Sequence, residues 1–342
     1  MISWQVRLGG TASETLVGRV AHGLLGLTRT MKSIGDEQAF EAIKAGVDAL
    51  PPGTKMFLNS AEFYDNNFGT GNLELLRRFY DKYPEYADKT FLSVKGGIQL
   101  GTSPTPDCSL ENLRRSIDNI QVALGPIKKV DLFEPARIDR NYPIEVIMNN
   151  LVTLLNEGKF SHIGLSECSA NTLREAHSVY PIVAAEIEVS PWCYDDNQKA
   201  VIATATELNI SVLAYSPLGH GFLTGQIKSL SDIPEGDRRA RLDKFKEQNW
   251  KNNMAIVEGL QAIAGKKGIT TAQLCIAWVA SLGPTMIPLP GSSKATRTLE
   301  NLKGGSVELT GEELARVDQF LLSNPVAGER YFGKEVDVYL WG

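Results

Sequence analysis

Short apolar runs alternate with amphipathic stretches along most of the chain. Eight apolar runs lie at residues 20–27, 55–60, 90–95, 130–136, 160–166, 182–189, 210–216 and 285–290. Between them, apolar residues recur at spacings of three and four, as at 36–49, 110–124, 143–157 and 171–179. This alternation predicts eight strand–helix units, with the apolar runs as buried strands.

Strands that alternate with helices predict a parallel sheet covered by helices. In a chain of 342 residues, eight such units favour an α/β fold of the closed (β/α)8 type, a TIM barrel, as one domain over 1–342. A doubly wound sheet is the competing architecture. Its usual G-x-G-x-x-G motif is not matched after the first predicted strand, where the chain reads Gly23-Leu-Leu-Gly26.

Three segments lie outside the repeating units. Residues 3–17 contain two adjacent glycines and predict an N-terminal hairpin at the barrel floor. The long, glycine-containing and charged segment 216–249 follows the seventh predicted strand, on the side where barrels place functional loops, so we expect it to be a lid. The tail 324–342 is expected to pack against the barrel because it is rich in aromatic residues, namely Tyr331, Phe332, Tyr339 and Trp341.

Charge and composition narrow the possible functions. The chain has 40 acidic and 35 basic residues, so a net charge of −5 gives no reason to expect nucleic-acid binding. No apolar run is long enough to cross a membrane, and the first ten residues do not resemble a signal peptide. Four widely spaced cysteines argue against a zinc site and fit a reducing compartment. We therefore expect a cytoplasmic protein, monomeric or weakly homo-oligomeric, without a metal.

Six short motifs at the predicted strand ends resemble those of the aldo-keto reductase family. They are LNSAEFY at 58–64, SVKG at 93–96, DLFEPARID at 131–139, GLSE at 164–167, AYSPLG at 214–219 and IPLPGSSK at 287–294. Their order and spacing are specific, and the resemblance covers residues 18–324. The motifs FEPAR at 133–137 and EIEVS at 186–190 are similar to those of a fungal subgroup that includes the pyridoxal reductases.

This resemblance implies NADPH-dependent reduction of a carbonyl compound, with Tyr64 as the proton donor and Lys95 as its electrostatic partner. The pairing makes physical sense, because a phenol with a pKa near 10 is a poor acid at pH 7 unless a cation favours its ionised form. Pyridoxal, reduced to pyridoxine, is the leading substrate. The alternatives are a fungal secondary-metabolism carbonyl reductase or alcohol dehydrogenase, and a catalytically weak NADPH-binding regulatory subunit.

Two positions depart from the family pattern. The aspartate that the family usually has on the second strand is Asn59 here, and the usual histidine at the end of the fourth strand is Ala136. Because alternate side chains on a strand share a face, Glu134 is expected to point into the barrel one layer below position 136. We predict that Glu134 replaces the lost carboxylate as the charge partner of Lys95, while Asn59 supplies a neutral hydrogen bond.

The resemblance also implies which residues bind NADPH. Tyr215 would stack on the nicotinamide ring, and Ser166 and Glu186 would hold its carboxamide. The start of segment 216–249 would follow the pyrophosphate through Ser216, Pro217, Leu218, Gly219 and Gly221. After the last strand, a helix N-terminus would bind the adenosine 2′-phosphate with its free amides and positive dipole. This second group consists of Gly291, Ser292, Lys294, Arg297, Glu300 and Asn301.

The substrate pocket is predicted from loop position alone. Residues that follow barrel strands on the functional side are the candidates for contact with a small carbonyl compound. They are Phe68, Ala136, Arg137, Trp192 and Tyr194, together with the aromatic tail.

Overall fold

A short antiparallel hairpin covers one end of the molecule. In the computed structural model, which describes residues 4–31, 34–99, 104–331 and 340–342, its strands are β1 (Gln5–Arg7) and β2 (Leu16–Gly18). The turn between them lies against the start of later strands, where the Gly10 amide donates to the carbonyl of Asn209 at 3.1 Å. A Cβ at Gly9 would lie 2.0 Å from that same oxygen, so this close approach requires glycine. The predicted floor hairpin is confirmed.

Eight parallel strands form the centre of the fold. They are β3 (His22–Gly23), β4 (Met56–Ala61), β5 (Thr90–Gly96), β8 (Leu132–Pro135), β9 (His162–Ser166), β10 (Ala184–Glu188), β11 (Ser211–Tyr215) and β12 (Met286–Leu289). A small antiparallel pair, β6 (Ile98–Gln99) and β7 (Thr105–Pro106), lies beside β5. The sheet closes where Gly23 bridges to Gly291 and donates to the carbonyl of Pro290 at 3.0 Å. The predicted (β/α)8 barrel is therefore confirmed.

Helices surround this sheet. They are α1 (Leu25–Thr28), α2 (Asp36–Asp48), α3 (Gly71–Lys82), α4 (Leu110–Leu124), α5 (Ile144–Asn156), α6 (Ala170–Val179), α7 (Asp196–Glu207), α8 (Glu247–Lys267), α9 (Thr271–Ser281), α10 (Ala295–Gly304) and α11 (Gly311–Ser323). Several begin at a side-chain cap, as α11 does at Thr310, where reciprocal bonds with Glu313 form a capping box. Within the described ranges, no helix has the length and apolarity needed to cross a bilayer.

The interior of the barrel changes from apolar to polar along its axis. In a parallel sheet, residues in register on neighbouring strands point to the same side. Phe57 and Phe91 are in register and form part of the lower, apolar layer. Two residues further along these strands stand Asn59 and Ser93, which are buried but polar. The polar layers therefore lie at the carboxyl ends of the strands, where barrels carry their sites.

The segment after β11 and the C-terminal tail cover this polar end. Short 3-10 turns at Gly219–Thr224, Leu230–Asp232, Arg238–Arg241 and Asp243–Phe245 lead into α8. The described part of the tail returns to this segment, since the amide of Asp243 donates to the carbonyl of Tyr331 at 2.9 Å. Tyr331 and Trp341 pack against the core. Phe332 and Tyr339, also predicted to pack there, lie outside the described residues.

Candidate active site

A buried lysine stands at the centre of the polar end of the barrel. Lys95, next to last in β5, is 4% exposed, and its Nζ donates to Asn59 Oδ1 at 2.7 Å. The same nitrogen lies 2.8 and 3.1 Å from the two carboxylate oxygens of Glu186, which comes from β10. Burial lowers the pKa of Lys95, but the charge and hydrogen bond of Glu186, together with Tyr64 and Glu134, outweigh burial, so that the net effect raises this pKa. Lys95 is therefore an ammonium ion at neutral pH.

A second carboxyl group lies in the same polar interior. Glu134 is fully buried and points into the barrel as predicted, in register with Lys95. Gly164 leaves room for it, since a Cβ there would lie 2.9 Å from Glu134 Cγ. Its Oε1 accepts a 2.5 Å bond from Ser93, and its Oε2 has no partner within the described ranges. Burial, reinforced by the charge of Glu186, raises the pKa of Glu134 to about 8.

The prediction that Glu134 is the charge partner of Lys95 is wrong. The direct ion pair is formed by Glu186, whose side chain reaches across the barrel interior from β10. Glu134 sits on the strand next to β5, and its carboxyl group turns to Ser93 instead. Asn59 makes the neutral hydrogen bond to Lys95 that the sequence predicts.

Tyr64 lies beside Lys95 at the mouth of the barrel. It follows β4 and is half-buried, and Lys95 Nζ is 5.1 Å from the centroid of its ring. Thr28 fixes the local backbone by donating to the carbonyl of Tyr64 at 2.5 Å. A phenol beside a buried ammonium can bind an electron-rich oxygen atom and pass it a proton. The structure thus brings together the two residues that the sequence selects for proton transfer.

Tyr215 lies at the end of β11, where the C-terminal tail crosses the barrel mouth. Its hydroxyl is hydrogen-bonded to the hydroxyl of Tyr331 and accepts a 3.0 Å bond from Arg330. Arg330 also donates two bonds to Glu167, at 2.9 and 2.6 Å, and one to Glu188 at 2.8 Å. This cluster orients the ring of Tyr215.

Sequence reasoning misses this cluster. Glu167 and Glu188 belong to the quoted GLSE and EIEVS motifs, and two acidic residues at the ends of buried strands signal a missing cation. Nothing in the sequence identifies Arg330 as that cation. His220, in the segment after β11, is also buried, with its Nε2 3.6 Å from Glu188 Oε1, and burial lowers its pKa to about 4.

The residues predicted to hold a cofactor form two groups at the same end of the barrel. In the first, Ser166 is in register with Glu186, and Ser166 Oγ is buried without a partner in the described part of the chain. A polar group of this kind fits an amide ligand, because an unpaired buried hydroxyl is otherwise costly. Beyond Tyr215 the backbone turns sharply at Ser216, Pro217 and Leu218. Gly219 and Gly221 have φ angles of 53° and 90°, which favour glycine.

The second group surrounds the start of α10. Lys294 is the N-cap residue and is exposed, and Arg297 in the first turn donates to Gln226 in the segment after β11 at 2.9 Å. Ser292 is held by His22, whose Nε2 lies 2.8 Å from its carbonyl oxygen. Gly291 is exposed, Glu300 is half-buried and Asn301 is buried along the same helix. Free amide groups at this helix start, with two cations, suit a phosphate.

The predicted substrate residues divide into two sets. Phe68 is exposed at the mouth, with the guanidinium of Arg29 4.5 Å from its ring centroid. Ala136 is buried directly after β8, and Arg137 is half-buried and donates to the carbonyl of Ala136 at 2.6 Å.

Trp192 and Tyr194 occupy different surroundings. Trp192 is buried against Phe222 and Phe245, and Tyr194 meets Trp278 edge to face at 5.2 Å. Trp192 thus packs under the segment after β11 and Tyr194 packs against α9, and the role of both residues in the substrate pocket stays a prediction.

Comparison with known proteins places this arrangement in a family. The sequence model described as "Aldo/keto reductase family" matches residues 19–322. A probable pyridoxal reductase of Schizosaccharomyces pombe is 35% identical over 320 residues, covering 92% of this chain and 95% of that protein. An aldo-keto reductase of the same organism, whose name specifies NADP(+), is 32% identical, covering 92% of each chain.

A solved structure agrees with the fold. The glycerol dehydrogenase of Gluconobacter oxydans superimposes with a TM-score of 0.80 at 24% identity, covering 97% of this chain and all of that one. At this identity the likeness concerns the barrel and not the substrate. Within the described ranges, no group of three His, Cys, Asp or Glu residues is arranged to hold a metal ion.

Proposed function

Since the chain belongs to the aldo/keto reductase family, we propose that it reduces aldehydes to alcohols with NADPH, and that pyridoxal is its substrate. The observation that carries this proposal is the position of Lys95. A buried ammonium, charged because Glu186 pairs with it, faces the ring of Tyr64 at the barrel mouth. This arrangement has the acid and the cation that carbonyl reduction needs.

The two residues divide the work on the carbonyl oxygen. Tyr64 donates its phenolic proton as negative charge develops on that oxygen, and solvent later returns a proton to the phenolate. Lys95 stabilises both the developing charge and the phenolate, because it is held within the low-dielectric interior of the barrel. NADPH, when bound, supplies the hydride. In the overall reaction, one aldehyde, one NADPH and one proton give one alcohol and one NADP+.

The chain has a group suited to each end of a dinucleotide. Ser166, with its unpartnered hydroxyl, would hold the carboxamide, and Tyr215 would flank the nicotinamide ring. Glu186, predicted to share the carboxamide, has its carboxylate turned to Lys95 and Asn59, so that contact falls mainly to Ser166. Lys294 and Arg297, at the start of α10, would bind a 2′-phosphate and so favour NADPH over NADH.

Pyridoxal as the substrate rests on the relatives and on the shape of the mouth. A relative that is 35% identical over 92% of this chain is named as a probable pyridoxal reductase. Ala136, whose side chain is a single methyl group, lies next to the end of β5, since its amide donates to the carbonyl of Gly96 at 2.9 Å. In the proposed complex, the aromatic ring of the aldehyde lies against this methyl group. Arg137 adds a guanidinium next to Ala136 that can donate to the oxygen of the hydroxyl group on the pyridoxal ring.

Consumption of NADPH by the purified protein tests the proposal. The assay compares pyridoxal, 4-nitrobenzaldehyde and no substrate. Rapid consumption with pyridoxal supports the proposal, whereas turnover of 4-nitrobenzaldehyde alone would point to a different carbonyl substrate. Tight NADPH binding without turnover of either aldehyde would contradict an enzymatic role and favour a regulatory subunit.

A further inference from the structure

The charge of Lys95 depends on a carboxylate that lies far from it in the strand order. Neighbouring β4 offers only the amide of Asn59, and an amide cannot balance a positive charge. Glu186 stands on β10, separated from β5 by β8 and β9, yet both of its oxygens lie within 3.1 Å of Lys95 Nζ. The ion pair is thus made across the barrel interior.

Asn59 ties the pair into a closed triangle. Its Oδ1 accepts from Lys95 at 2.7 Å, and its Nδ2 donates to Glu186 Oε2 at 2.6 Å. Every side of the triangle is therefore a hydrogen bond, and all three side chains are at most 5% exposed. An aspartate at position 59 could not donate to Glu186, so the amide suits a carboxylate at position 186.

Glu134 does not compete for this role. Its carboxyl group is bonded to Ser93 and makes no ion pair with Lys95. Two carboxylates and one ammonium share the interior, and the buried group without a charged partner is the one that keeps its proton. Burial and the charge of Glu186 raise the pKa of Glu134 to about 8, which agrees with this distribution. At neutral pH the interior therefore holds one negative and one positive group.

We infer that Glu186 is the positioning residue for proton transfer by Tyr64, because it supplies the carboxylate that keeps Lys95 charged and fixes its ammonium beside the phenol. This inference rests on the proposed function. It also changes the expected role of Glu186 from cofactor ligand to partner of the catalytic lysine. In a barrel with an aspartate at position 59, a carboxylate lies on β4. In this chain β4 carries the amide of Asn59, and the carboxylate lies on β10 at Glu186.

An exchange of the two side chains tests the inference. Glu186→Gln leaves Lys95 with two amides as hydrogen-bond partners, and Glu134 and Tyr64 are then the remaining acidic groups that act on it. The pKa of Lys95 therefore falls, and its ammonium is no longer fixed by an ion pair. We expect kcat with pyridoxal to fall about 100-fold, as for misplacement of a catalytic group. KM for NADPH should change little. As pH is raised, Lys95 should lose its proton earlier, so the variant should lose activity at a lower pH than the wild type. Adding Asn59→Asp restores one carboxylate and one amide, and most of kcat should return.

A readout without cofactor accompanies the kinetics. In the apo protein, Glu186→Gln should lower the melting temperature, because an unpaired buried lysine is costly, and the double variant should recover it. Glu134→Gln is the matched comparison, since it removes a carboxyl group from the same interior that does not contact Lys95. Its effect on kcat should be smaller than that of Glu186→Gln.

Several outcomes would overturn the inference. One is a double variant that melts like the wild type but has no more activity than Glu186→Gln, because the pair would then be structural only. Another is a Glu186→Gln variant that weakens NADPH binding while kcat stays unchanged. If Glu186→Gln does not fold, the double variant alone tests the inference. It should fold and reduce pyridoxal, and a folded double variant without activity would contradict the inference. A wild-type protein without carbonyl reduction would instead refute the proposed function, while the melting temperatures would still report the ion pair.

Discussion

Arg330, in the C-terminal tail, donates two hydrogen bonds to Glu167, which directly follows β9. The Arg330 side chain is 11% exposed and that of Glu167 is fully buried. Arg330 also donates to Glu188, so one guanidinium pairs with two buried carboxylates. This cluster fastens the tail over Tyr215 and closes one side of the barrel mouth.

Arg330→Met is expected to destabilise the protein by about 3–5 kcal/mol, because it removes the guanidinium that is hydrogen-bonded to two buried carboxylates. Urea denaturation of the apo protein measures this change. KM for the aldehyde should also rise, since Tyr215 and the tail lose their anchor.

Arg316→Gln is the matched control for Arg330→Met. Arg316 pairs with Glu312 on an exposed face of α11, and such pairs contribute about 0.2–1 kcal/mol. If Arg330→Met costs no more than Arg316→Gln, the tail is not held by this cluster.

Lys294→Met should raise KM for NADPH about tenfold or more and leave KM for NADH nearly unchanged. The reason is that a hydrogen bond to a charged group contributes about 1.5–3 kcal/mol, and only NADPH carries the 2′-phosphate. Steady-state kinetics with both cofactors checks the difference. Lys303→Met, in the last turn of the same helix, is the control and should affect neither cofactor. Equal effects of Lys294→Met on the two cofactors would exclude the phosphate site.

Glu134→Gln should change how stability depends on pH. The pKa of Glu134 is about 8 in the folded protein and ordinarily 4.5, so the folded state holds a proton that the unfolded chain has lost between these values. This group therefore makes the wild type less stable as pH rises from 4.5 to 8, by about 1.4 kcal/mol per unit. Glutamine removes that contribution.

Denaturation of wild type and Glu134→Gln at pH 5 and pH 8 measures the effect. The variant should gain stability relative to the wild type at the higher pH. A constant difference between the two proteins would show that Glu134 is ionised throughout this range.

Ala136→Phe should impair pyridoxal more than a small aldehyde such as propanal, because it fills the space proposed for an aromatic ring. We expect the ratio of kcat/KM for propanal to that for pyridoxal to rise at least about tenfold. Equal losses for both substrates would mean that the substitution disturbs Lys95 or Tyr64 rather than the pocket.

The alternation of apolar runs and helices was sufficient to predict the barrel, because each unit leaves its own local pattern. The first strand shows the limit of that pattern. Residues 20–27 read as one apolar strand, but only His22–Gly23 pair with β4, and Leu25–Thr28 form a helical turn. Helix and strand compete closely in so short an apolar run, and tertiary contacts decide between them.

The site was predictable only as far as strand position determines it. Tyr64 and Lys95 stand at the ends of adjacent strands, so their motifs bring them together. Alternation also gave the inward direction of Glu134, but it does not say how far a side chain from another strand reaches. For that reason the sequence assigned Lys95 to Glu134 and not to Glu186. Arg330 left no local signal, because it lies 163 residues from Glu167.

Tyr64→Phe tests the central claim most directly, because it removes one hydroxyl and leaves Lys95 and the cofactor groups in place. The measurement is the rate of NADPH oxidation with saturating pyridoxal, together with NADPH affinity by fluorescence titration. We predict a fall in kcat of about 100- to 10,000-fold with unchanged affinity for NADPH. Retention of wild-type kcat in Tyr64→Phe would contradict the claim that Tyr64 protonates the substrate.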